Sequence, residues 1–294
     1  MNKTLAVVVT YNRAEKLKNC LFSLKNQTFK AFDILVVNNA STDETAEVLE
    51  KEGGVIVMNE EKNVGGAGGF YDGMQYGVKN GYEYLWLMDD DVVPHENALE
   101  KLFEADENLQ GEYGFLSSLA LFTDGMPAVM NNHLLKSKIS TDNIIRAGEE
   151  TYVNVLSATF VSFFIKTEKV KEYGYPVKEM FLWSDDTEYS TRITKKDRGV
   201  FVPQSVVVHA MEKNENPDLV TLDESRLERM KLNVRNRYFI ARRDGFKKKL
   251  RFYARHTILF FRVLFKAKNN KCKRLGVILS GTIKGWFFRP NKNN

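Results

Sequence analysis

The first hundred residues alternate between short apolar segments and amphipathic segments, and this pattern restricts the fold more than any other feature of the chain. The apolar segments, rich in Val, Ile and Leu, predict buried strands at 5–11, 32–39, 54–59 and 82–88. Apolar residues at helical spacing predict helices between and after them at 13–27, 41–53, 68–81 and 95–106. Such alternation predicts an α/β fold with a doubly wound, mostly parallel sheet and flanking helices.

The later part of the chain is less regular. Apolar runs predict three further strands at 113–122, 154–166 and 200–210, and a helix is predicted at 184–199. The polar segment 212–225 resembles a mobile loop or linker, and basic, aromatic-rich helices are predicted at 226–290. We therefore predict two regions, an α/β domain at 1–215 and a basic helical region at 216–294.

Polar or glycine-rich loops follow each of the first four predicted strands. These loops are "TYNR", "NNASTD", "EKNVGGAGG" and "DDDV". Ligands of doubly wound sheets bind at the carboxyl ends of the strands. The four loops are therefore expected to converge on one ligand-binding rim.

Three consecutive carboxylates, Asp89, Asp90 and Asp91, end the fourth strand. Asp89 and Asp91 would point the same way from an extended backbone. Carboxylates this close become stable when a divalent cation such as Mg²⁺ or Mn²⁺ shares them, with phosphate oxygens completing its coordination. The alternative is that Asp91 caps the following helix while the other two carboxylates are solvated.

A second acidic cluster lies in "FLWSDDTEYSTRI", where Asp185, Asp186 and Glu188 follow an apolar run. A carboxylate in a partly desolvated cleft can act as a general base, although acids at a helix N-terminus are also favoured by the helix dipole. His209, at the end of the last predicted strand, is a candidate metal ligand beside the carboxylates, or a structural histidine.

The segment "NVGGAGGF" at 63–70 joins a strand to a helix. It matches neither a dinucleotide-binding fingerprint nor a Walker A loop. Its four glycines indicate close approach of the backbone to a ligand or exposed amides at a helix N-terminus, and a merely flexible loop is the alternative.

Together these motifs resemble the family 2 glycosyltransferases, which are inverting, nucleotide-sugar-dependent enzymes with a GT-A fold. The resemblance covers about residues 4–210 and rests on "VVVTYNR", "ILVVNNASTDET", "NVGGAGGF", "WLMDDDV" and "FLWSDDTEY" in the family's order. The pattern is most similar to the galactofuranosyl- and rhamnosyltransferase-like branch.

The resemblance implies a role for each matching residue. Asp186 would be the catalytic base, and Asp89, Asp91 and His209 would bind Mn²⁺ or Mg²⁺ in a DxD-type site. Trp183, Asp185 and Glu188 would face the acceptor or donor sugar. The nucleotide-sugar would contact Thr10, Tyr11, Arg13, Asn38, Asn39, Asp43, Asn63, Gly65, Gly66, Asp89 and Asp90. The family often has Asp where this chain has Asn38 or Asn39.

The implied function is transfer of a sugar from a nucleotide-sugar to a saccharide or lipid-linked acceptor in cell-surface polysaccharide synthesis. UDP-galactofuranose or another UDP-hexose is the favoured donor, with dTDP-rhamnose as an alternative. Two other classes remain open, a non-catalytic nucleotide-sugar-binding or scaffold protein and a nucleotidyltransferase. The intact Asp91 and Asp186 disfavour the first, and the absence of a glycine-rich basic loop after the first strand disfavours the second.

The C-terminal region differs sharply in charge from the rest of the chain. From Arg229 to Asn294 there are 20 Lys and Arg residues and one acid, Asp244, whereas the whole chain has a net charge of only +5. Cations interleaved with aromatic residues favour attachment to an anionic membrane surface. A homo-oligomer interface is the alternative, and the absence of a recognised motif argues against nucleic acid.

Two observations predict the compartment. The short apolar N-terminus lacks the features of a signal peptide, and the two cysteines, Cys20 and Cys272, have no metal-binding or disulfide spacing. We therefore expect a cytoplasmic protein, peripheral on the inner face of the cell membrane.

Overall fold

The computed structural model of the protein describes residues 3–291, so the first two residues and the last three residues of the predicted basic region lie outside the described part. Its strands are β1 (Thr4–Thr10), β2 (Phe32–Asn38), β3 (Ile56–Asn59), β4 (Tyr84–Asp89), β5 (Val92–Pro94), β6 (Phe115–Leu121), β7 (Leu134–Leu135), β8 (Ile144–Ala147), β9 (Glu150–Ser157), β10 (Phe163–Lys166) and β11 (Gly199–His209). Its α-helices are α1 (Ala14–Lys25), α2 (Thr45–Lys51), α3 (Gly65–Lys79), α4 (Ala98–Asn108), α5 (Thr167–Tyr173), α6 (Asp185–Ile193), α7 (Leu227–Arg243), α8 (Phe246–Lys266) and α9 (Lys271–Phe287).

Within the described residues the strands form one sheet with the order β3-β2-β1-β4-β10-β6-β11-β9-β7. Strands β1 to β4 are mutually parallel, β10 inserts antiparallel between β4 and β6, and β11 runs parallel to β6. The short strand β5 pairs with the end of β11. The predicted α/β fold, with helices flanking a large sheet and a helical C-terminal region, is confirmed.

Alternate residues of β1 build the two faces of the core. Ala6 and Val8 belong to a buried cluster that includes apolar residues of α1 and α4, whereas Val7 and Val9 belong to a second cluster that includes Phe70 of α3. This division follows from the two-residue period of a strand. Because both faces of the strands are buried in the core, the polar residues lie in the loops at the carboxyl ends of the strands.

The glycines of α3 are partly explained by packing on the sheet. A Cβ atom at Gly69 or Gly73 would come within 3.0 Å of the Val9 or Val7 side chain. The helix begins at Gly65 rather than at residue 68 as predicted, because the glycine-rich segment itself forms its first turns. The close contact between α3 and the sheet therefore requires glycine at these positions, whether or not a ligand also binds near them.

Five other predicted elements differ from the observed ones, and one of them is the helix expected at 41–53, which spans Thr45–Lys51. The strand expected at 154–166 is two strands, β9 and β10, which occupy different places in the sheet and are separated by a loop. The helix expected at 184–199 ends at Ile193, and the helix expected at 95–106 spans Ala98–Asn108. The segment 212–225 is not a loose linker, because its Leu219 and Leu222 are buried among the C-terminal helices.

The C-terminal helices enclose an apolar cluster of their own, to which α7, α8 and α9 all contribute. None of the helices between residues 3 and 291 combines the length and apolar character needed to cross a bilayer. The domain boundary at 215 and 216 stays a prediction, although α7 makes extensive contact with the loop that precedes α6.

Helix α7 holds this loop through Asn236, whose side chain is fully buried. Its Nδ2 donates to the carbonyl oxygens of Met180, Leu182 and Trp183 at 3.0, 3.1 and 2.7 Å. The neighbouring Arg235 donates to the carbonyl oxygens of Glu179 and Met180. One helix therefore satisfies most of the carbonyl groups of the loop.

The same loop has an unfavourable backbone conformation. Phe181, Trp183 and Ser184 have φ angles of 64°, 66° and 66°, in the left-handed region that non-glycine residues rarely adopt. Each such residue costs about 1–3 kcal/mol and persists only where its surroundings enforce it. The contacts from Asn236 and Arg235 provide that enforcement.

We predict that Asn236→Leu lowers the free energy of unfolding by about 2–3 kcal/mol, because the carbonyl groups of a strained loop lose their buried donor. Denaturant titration measures the change. Asn19→Leu, on the exposed side of α1, is the matched control and should change stability by less than about 0.5 kcal/mol. Equal effects of the two substitutions would contradict the role given to Asn236.

Candidate active site

Asp90, in the turn after β4, is fastened to the end of β1. Its Oδ2 accepts a hydrogen bond from Thr10 Oγ1 at 2.8 Å, and its Oδ1 accepts one from Arg13 Nη1 at 3.1 Å. The backbone N–H of Tyr11 also approaches Oδ2, at 3.4 Å. The side chain is 3% exposed. Asp90 therefore joins the loops after β1 and β4, and both predicted nucleotide contacts at Thr10 and Arg13 hold it.

Asp91 points into the same cleft and does not cap a helix. Its Oδ2 lies 2.9 Å from Arg13 Nη1 and 3.3 Å from Lys16 Nζ. The next helix begins at Ala98, with Asn97 at its cap position. The alternative interpretation of Asp91 as a helix cap is therefore wrong, because the carboxylate is already bound by two cations of the α1 region.

His209 reaches Asp91 because β5 folds the chain after the triplet back onto the end of β11, where His209 pairs with Val92. Its Nδ1 lies 2.8 Å from Asn131 Oδ1, and Asn131 Nδ2 donates to Thr159 Oγ1, which orients the amide oxygen toward the ring. Nδ1 then carries a proton toward Asn131, and Nε2 is the ring nitrogen left to face the cleft.

This second ring nitrogen faces a carboxylate. His209 Nε2 lies 3.3 Å from Asp91 Oδ1, which is buried and makes no hydrogen bond to the described residues. Asp89, Asp91 and His209 each offer a ligand atom, and these atoms lie within 4.8 Å of one another. Two carboxylate oxygens and an imidazole nitrogen at this spacing fit a divalent cation such as Mn²⁺ or Mg²⁺.

The charge of Asp89, unlike that of Asp91, is not offset by its surroundings. Burial raises the pKa of Asp89 well above its ordinary value, and the charges of Asp91 and Asp90 raise it further. Arg13 acts in the opposite direction but does not offset these effects. A cation beside Asp89 would favour its ionised form.

The second acidic cluster lies at the N-terminus of α6. Thr187 donates to Asp186 Oδ1 from its backbone N–H at 2.5 Å and from its hydroxyl at 3.2 Å. Burial raises the pKa of Asp186, and Thr187 and Arg237 partly offset this increase. Burial and the charge of Asp186 raise the pKa of Asp185 to about 8. Asp186 is therefore the better candidate for the ionised member of the pair at neutral pH.

Asp185 connects the two acidic clusters, because its charge also raises the pKa of Asp89. Glu188 is placed differently from the two aspartates. It is 2% exposed and forms ion pairs with Arg192, at 3.0 Å, and with Arg243 of α7. Trp183 is half-buried against the C-terminal apolar cluster. Glu188 thus ties α6 to α7 rather than opening toward the cleft.

The three asparagines that were predicted to contact the nucleotide form hydrogen bonds to neighbouring segments of the chain. Asn38 Nδ2 donates to Asn59 Oδ1 at 2.9 Å, and Asn39 Nδ2 donates to the Gly65 carbonyl at 2.9 Å. Asn63 Oδ1 accepts from the Gly65 N–H at 2.8 Å. These contacts order the rim between β2, β3 and α3.

Three further predicted residues border the same rim. Asp43 accepts hydrogen bonds from the backbone N–H groups of Ala14 and Thr45, at 3.4 and 3.1 Å. Tyr11 is 40% exposed. Gly66 has open space where a side chain would stand. The exposed ring and the open space are available to a ligand.

Gly65 links the two sides of the cleft. Its φ angle is +76°, and a Cβ atom there would overlap the carbonyl group of Phe181. The N–H of Ala67 donates to the same carbonyl oxygen at 3.2 Å. The glycine-rich segment therefore contacts the strained loop before Asp185 as well as the nucleotide side.

Sequence reasoning missed four residues that organise the site: Lys16, Asn131, Asn236 and Arg237. Lys16 follows Arg13 by one helical turn, a spacing that places both side chains on one face and that a search for cations near the triplet would have found. Asn131 and Asn236 lie far from the motifs in sequence, and no local pattern distinguishes them.

Comparison with known proteins shows which protein family the chain resembles. Residues 5–114 match the model of the glycosyl transferase family 2. The chain is 33% identical over 207 residues to galactofuranosyltransferase GlfT1 of Mycolicibacterium smegmatis, with 65% of each chain covered. It is 32% identical over 125 residues to poly(ribitol-phosphate) beta-N-acetylglucosaminyltransferase TarP of Staphylococcus aureus, covering 39% of this chain. The chain thus spans 65% and 37% of the lengths of these two relatives.

A solved structure gives the same fold. Mannosyltransferase PcManGT from Pyrobaculum calidifontis, in complex with GDP-Man and Mn²⁺, superposes with a TM-score of 0.58 at 15% identity, covering 97% of this chain and 87% of that one. The resemblance predicted from the motifs is confirmed: residues 5–114 match the glycosyl transferase family 2, and the described chain has the GT-A fold.

Proposed function

We propose that this protein transfers a sugar with inversion from a nucleotide-sugar to a hydroxyl group of an acceptor. The observation that carries the proposal is the pairing of two different acidic sites in one cleft. One site, at Asp89, Asp91 and His209, brings three possible ligand atoms within 4.8 Å of one another, and Asp91 Oδ1 there has no hydrogen-bond partner. The other site holds Asp186 on a helix N-terminus, beside Asp185, whose charge acts on Asp89.

The first site would act on the leaving group and the second on the acceptor hydroxyl. Mn²⁺ or Mg²⁺ bound at the first site supplies positive charge for the diphosphate leaving group. Arg13 and Lys16 hold Asp91 in place, and Asn131 fixes the ring of His209. Asp186 accepts the proton of the acceptor hydroxyl as its oxygen forms a bond to the anomeric carbon. The bond from that carbon to the diphosphate breaks on the opposite side, which inverts the configuration.

The relatives support a proposal for the donor and the pathway. The similarity to a galactofuranosyltransferase supports UDP-galactofuranose or another UDP-hexose as donor, with dTDP-rhamnose as the alternative. The acceptor would be a saccharide or lipid-linked saccharide in cell-surface polysaccharide synthesis. Thr10, Tyr11, Arg13, Asn38, Asn39, Asp43, Asn63, Gly65 and Gly66 would surround the nucleotide, and Trp183 and Asp185 would border the acceptor.

We further propose that the C-terminal helices attach the protein to the anionic inner face of the cell membrane. Helix α8 presents an exposed apolar stripe at helical spacing, formed by Phe246, Leu250, Ile258, Phe261 and Phe265. Exposed cations flank it at Lys247, Lys248, Arg251, Arg262 and Lys266. An apolar stripe bordered by Lys and Arg suits a helix lying in a membrane interface.

Asp91→Asn should weaken Mn²⁺-dependent binding of UDP at least about tenfold, because an amide is a poorer ligand than a carboxylate. Titration calorimetry with and without Mn²⁺ measures this effect. The control, Asp124→Asn in an exposed turn, should bind UDP as the wild type does. Metal-dependent binding of undiminished strength in the Asp91 variant would remove Asp91 from the cation site.

Asp186→Asn should lower kcat by about 100- to 10,000-fold, the usual contribution of a general base. Its affinity for UDP with Mn²⁺ should stay within about twofold of the wild type, because the nucleotide lies on the other side of the cleft. Turnover is measured as release of UDP in the presence of acceptor. Unchanged turnover would exclude Asp186 as the base, and lost UDP binding would place it on the donor side.

The double substitution Phe261→Ser and Phe265→Ser should weaken binding to phosphatidylglycerol vesicles at least about tenfold, because two exposed phenyl groups no longer enter the interface. Vesicle co-sedimentation measures binding. The control is Phe22→Ser on α1, where the phenyl group is 72% exposed. Unchanged sedimentation of the double variant, together with loss of a dimer in gel filtration, would show that the stripe binds a second copy instead.

A further inference from the structure

The guanidinium group of Arg235, on α7, contacts two segments that are far apart in the sequence. Its Nη2 donates to the carbonyl oxygens of Glu179 and Met180 at 2.9 and 2.8 Å, in the loop before α6. Its Cζ lies 4.2 Å from the centre of the ring of Phe288, the residue that follows α9. The loop before the second acidic cluster and the end of the last helix therefore meet at one side chain.

Phe288 is held against α7 by Arg242 and Phe239. Arg242 Nη2 donates to the Phe288 carbonyl oxygen at 2.8 Å, and Arg242 Nη1 donates to the Trp286 carbonyl oxygen at 2.9 Å. The Phe288 ring packs edge-on against the Phe239 ring, with centroids 5.3 Å apart. Backbone and ring contacts together fix the position of Phe288 beside Arg235.

The close approach of α9 to α7 depends on two glycines. A Cβ atom at Gly281 would lie 2.7 Å from Val234 Cβ, and a Cβ atom at Gly285 would lie 2.9 Å from Tyr238 Cβ. The atom at Gly285 would also lie 3.1 Å from the carbonyl oxygen of Arg235. Because packed helices cannot accommodate such overlaps, a larger residue at either position would push them apart. The glycines therefore bring the end of α9 onto the turn of α7 that carries Arg235.

Arg235 also orients the amide group of Asn236. Its Nε donates to Asn236 Oδ1 at 2.9 Å. With this oxygen used, Asn236 Nδ2 is the atom directed at the three loop carbonyl groups that it binds. Arg235 therefore holds the loop twice, once directly and once through its neighbour.

The loop determines where the second acidic cluster lies. Trp183 and Ser184 both have φ angles of 66°, and Asp185 and Asp186 follow them directly. The N–H of Glu188 donates to the Ser184 carbonyl oxygen at 2.9 Å, so the first turn of α6 starts from a strained residue. A change in the loop would therefore move Asp186. Misplacement of a reacting group by about 1 Å can lower a rate about 100-fold.

We propose that Arg235 and Phe288 are positioning residues for the general base Asp186. The inference rests on the proposed function, in which Asp186 accepts the proton of the acceptor hydroxyl. The face of the Phe288 ring attracts the guanidinium group of Arg235. The guanidinium group in turn fixes the backbone from which α6 begins. The last residues of the basic C-terminal region thus act on the reaction without contacting the substrate.

Substitutions at two adjacent phenylalanines test the inference. Phe288→Leu removes the aromatic face and keeps an apolar side chain, whereas Phe288→Tyr keeps the face. Phe287→Leu is the matched control, because the Phe287 side chain is 75% exposed. Hydrogen exchange followed by mass spectrometry measures opening of residues 179–188 without any substrate. Turnover is measured as UDP release from UDP-galactofuranose, with octyl galactoside as a soluble acceptor and without vesicles.

Phe288→Leu should speed exchange in 179–188 at least about tenfold and lower kcat about tenfold, because Arg235 loses its aromatic contact. Affinity for UDP with Mn²⁺ should stay within about twofold of the wild type, because the nucleotide side is distant from this pair. Phe288→Tyr and Phe287→Leu should behave as the wild type in all three measurements.

Three results would overturn the inference. The first is unchanged exchange or unchanged kcat in Phe288→Leu. The second is an equal effect of Phe287→Leu. The third is a loss of UDP affinity as large as the fall in kcat, which would show a general disturbance of the structure rather than displacement of the base.

The variant Asp186→Asn separates this inference from the proposed function. Phe288→Leu should change the residual turnover of Asp186→Asn by less than about twofold, because no base is left to position. A further loss of about tenfold in the double variant would overturn the inference and leave the base assignment intact. Unchanged turnover of Asp186→Asn alone, or no binding of UDP by the wild type, would contradict the proposed function and the inference with it.

Discussion

Repulsion among five aspartates in one cleft is the constraint on which this structure depends. Asp89 ends β4, and Asp90 and Asp91 lie in the turn after it. Asp185 and Asp186 begin α6, near enough for the charge of Asp185 to raise the pKa of Asp89. The protein offsets part of this charge with Arg13 and Lys16 on one side and Arg237 on the other. What remains uncompensated is Asp89, whose pKa stays raised, and it lies beside Asp91 Oδ1 and His209 Nε2, which are 3.3 Å apart. The site is therefore built to hold a cation.

The surrounding fold keeps these charges at fixed positions. Strand β5 returns the chain after the triplet to the end of β11, which places His209 against Asp91. Asn236 and Arg235 of α7 hold the backbone before Asp185 in a conformation it would not adopt alone. The basic C-terminal region thus contributes directly to the cleft, in addition to any role it has at a membrane.

Part of this arrangement was predictable because it depends on local pattern. Strand–helix alternation places the loops after β1 to β4 at one edge, and the position of "DDD" and "SDD" after apolar runs identified both acidic clusters. The split of 154–166 into β9 and β10 was not predictable, because both strands are apolar and only their partners in the sheet differ. The glycines of α3 were interpreted as a ligand loop, although Val7 and Val9 also require them. Asn131, Asn236 and Arg237 act through long-range contacts that no spacing in the sequence indicates.

The central claim is that a divalent cation and Asp186 occupy opposite sides of one reaction centre. Anomalous diffraction from crystals grown with UDP and Mn²⁺ tests it most directly, because manganese is located independently of any fitted side chain. We expect one strong anomalous peak from manganese, within about 2.0–2.3 Å of ligand atoms of Asp89, Asp91 and His209 and adjacent to the UDP diphosphate. A peak at Asp185 and Asp186 instead, or UDP bound in the cleft without any manganese peak, would contradict it.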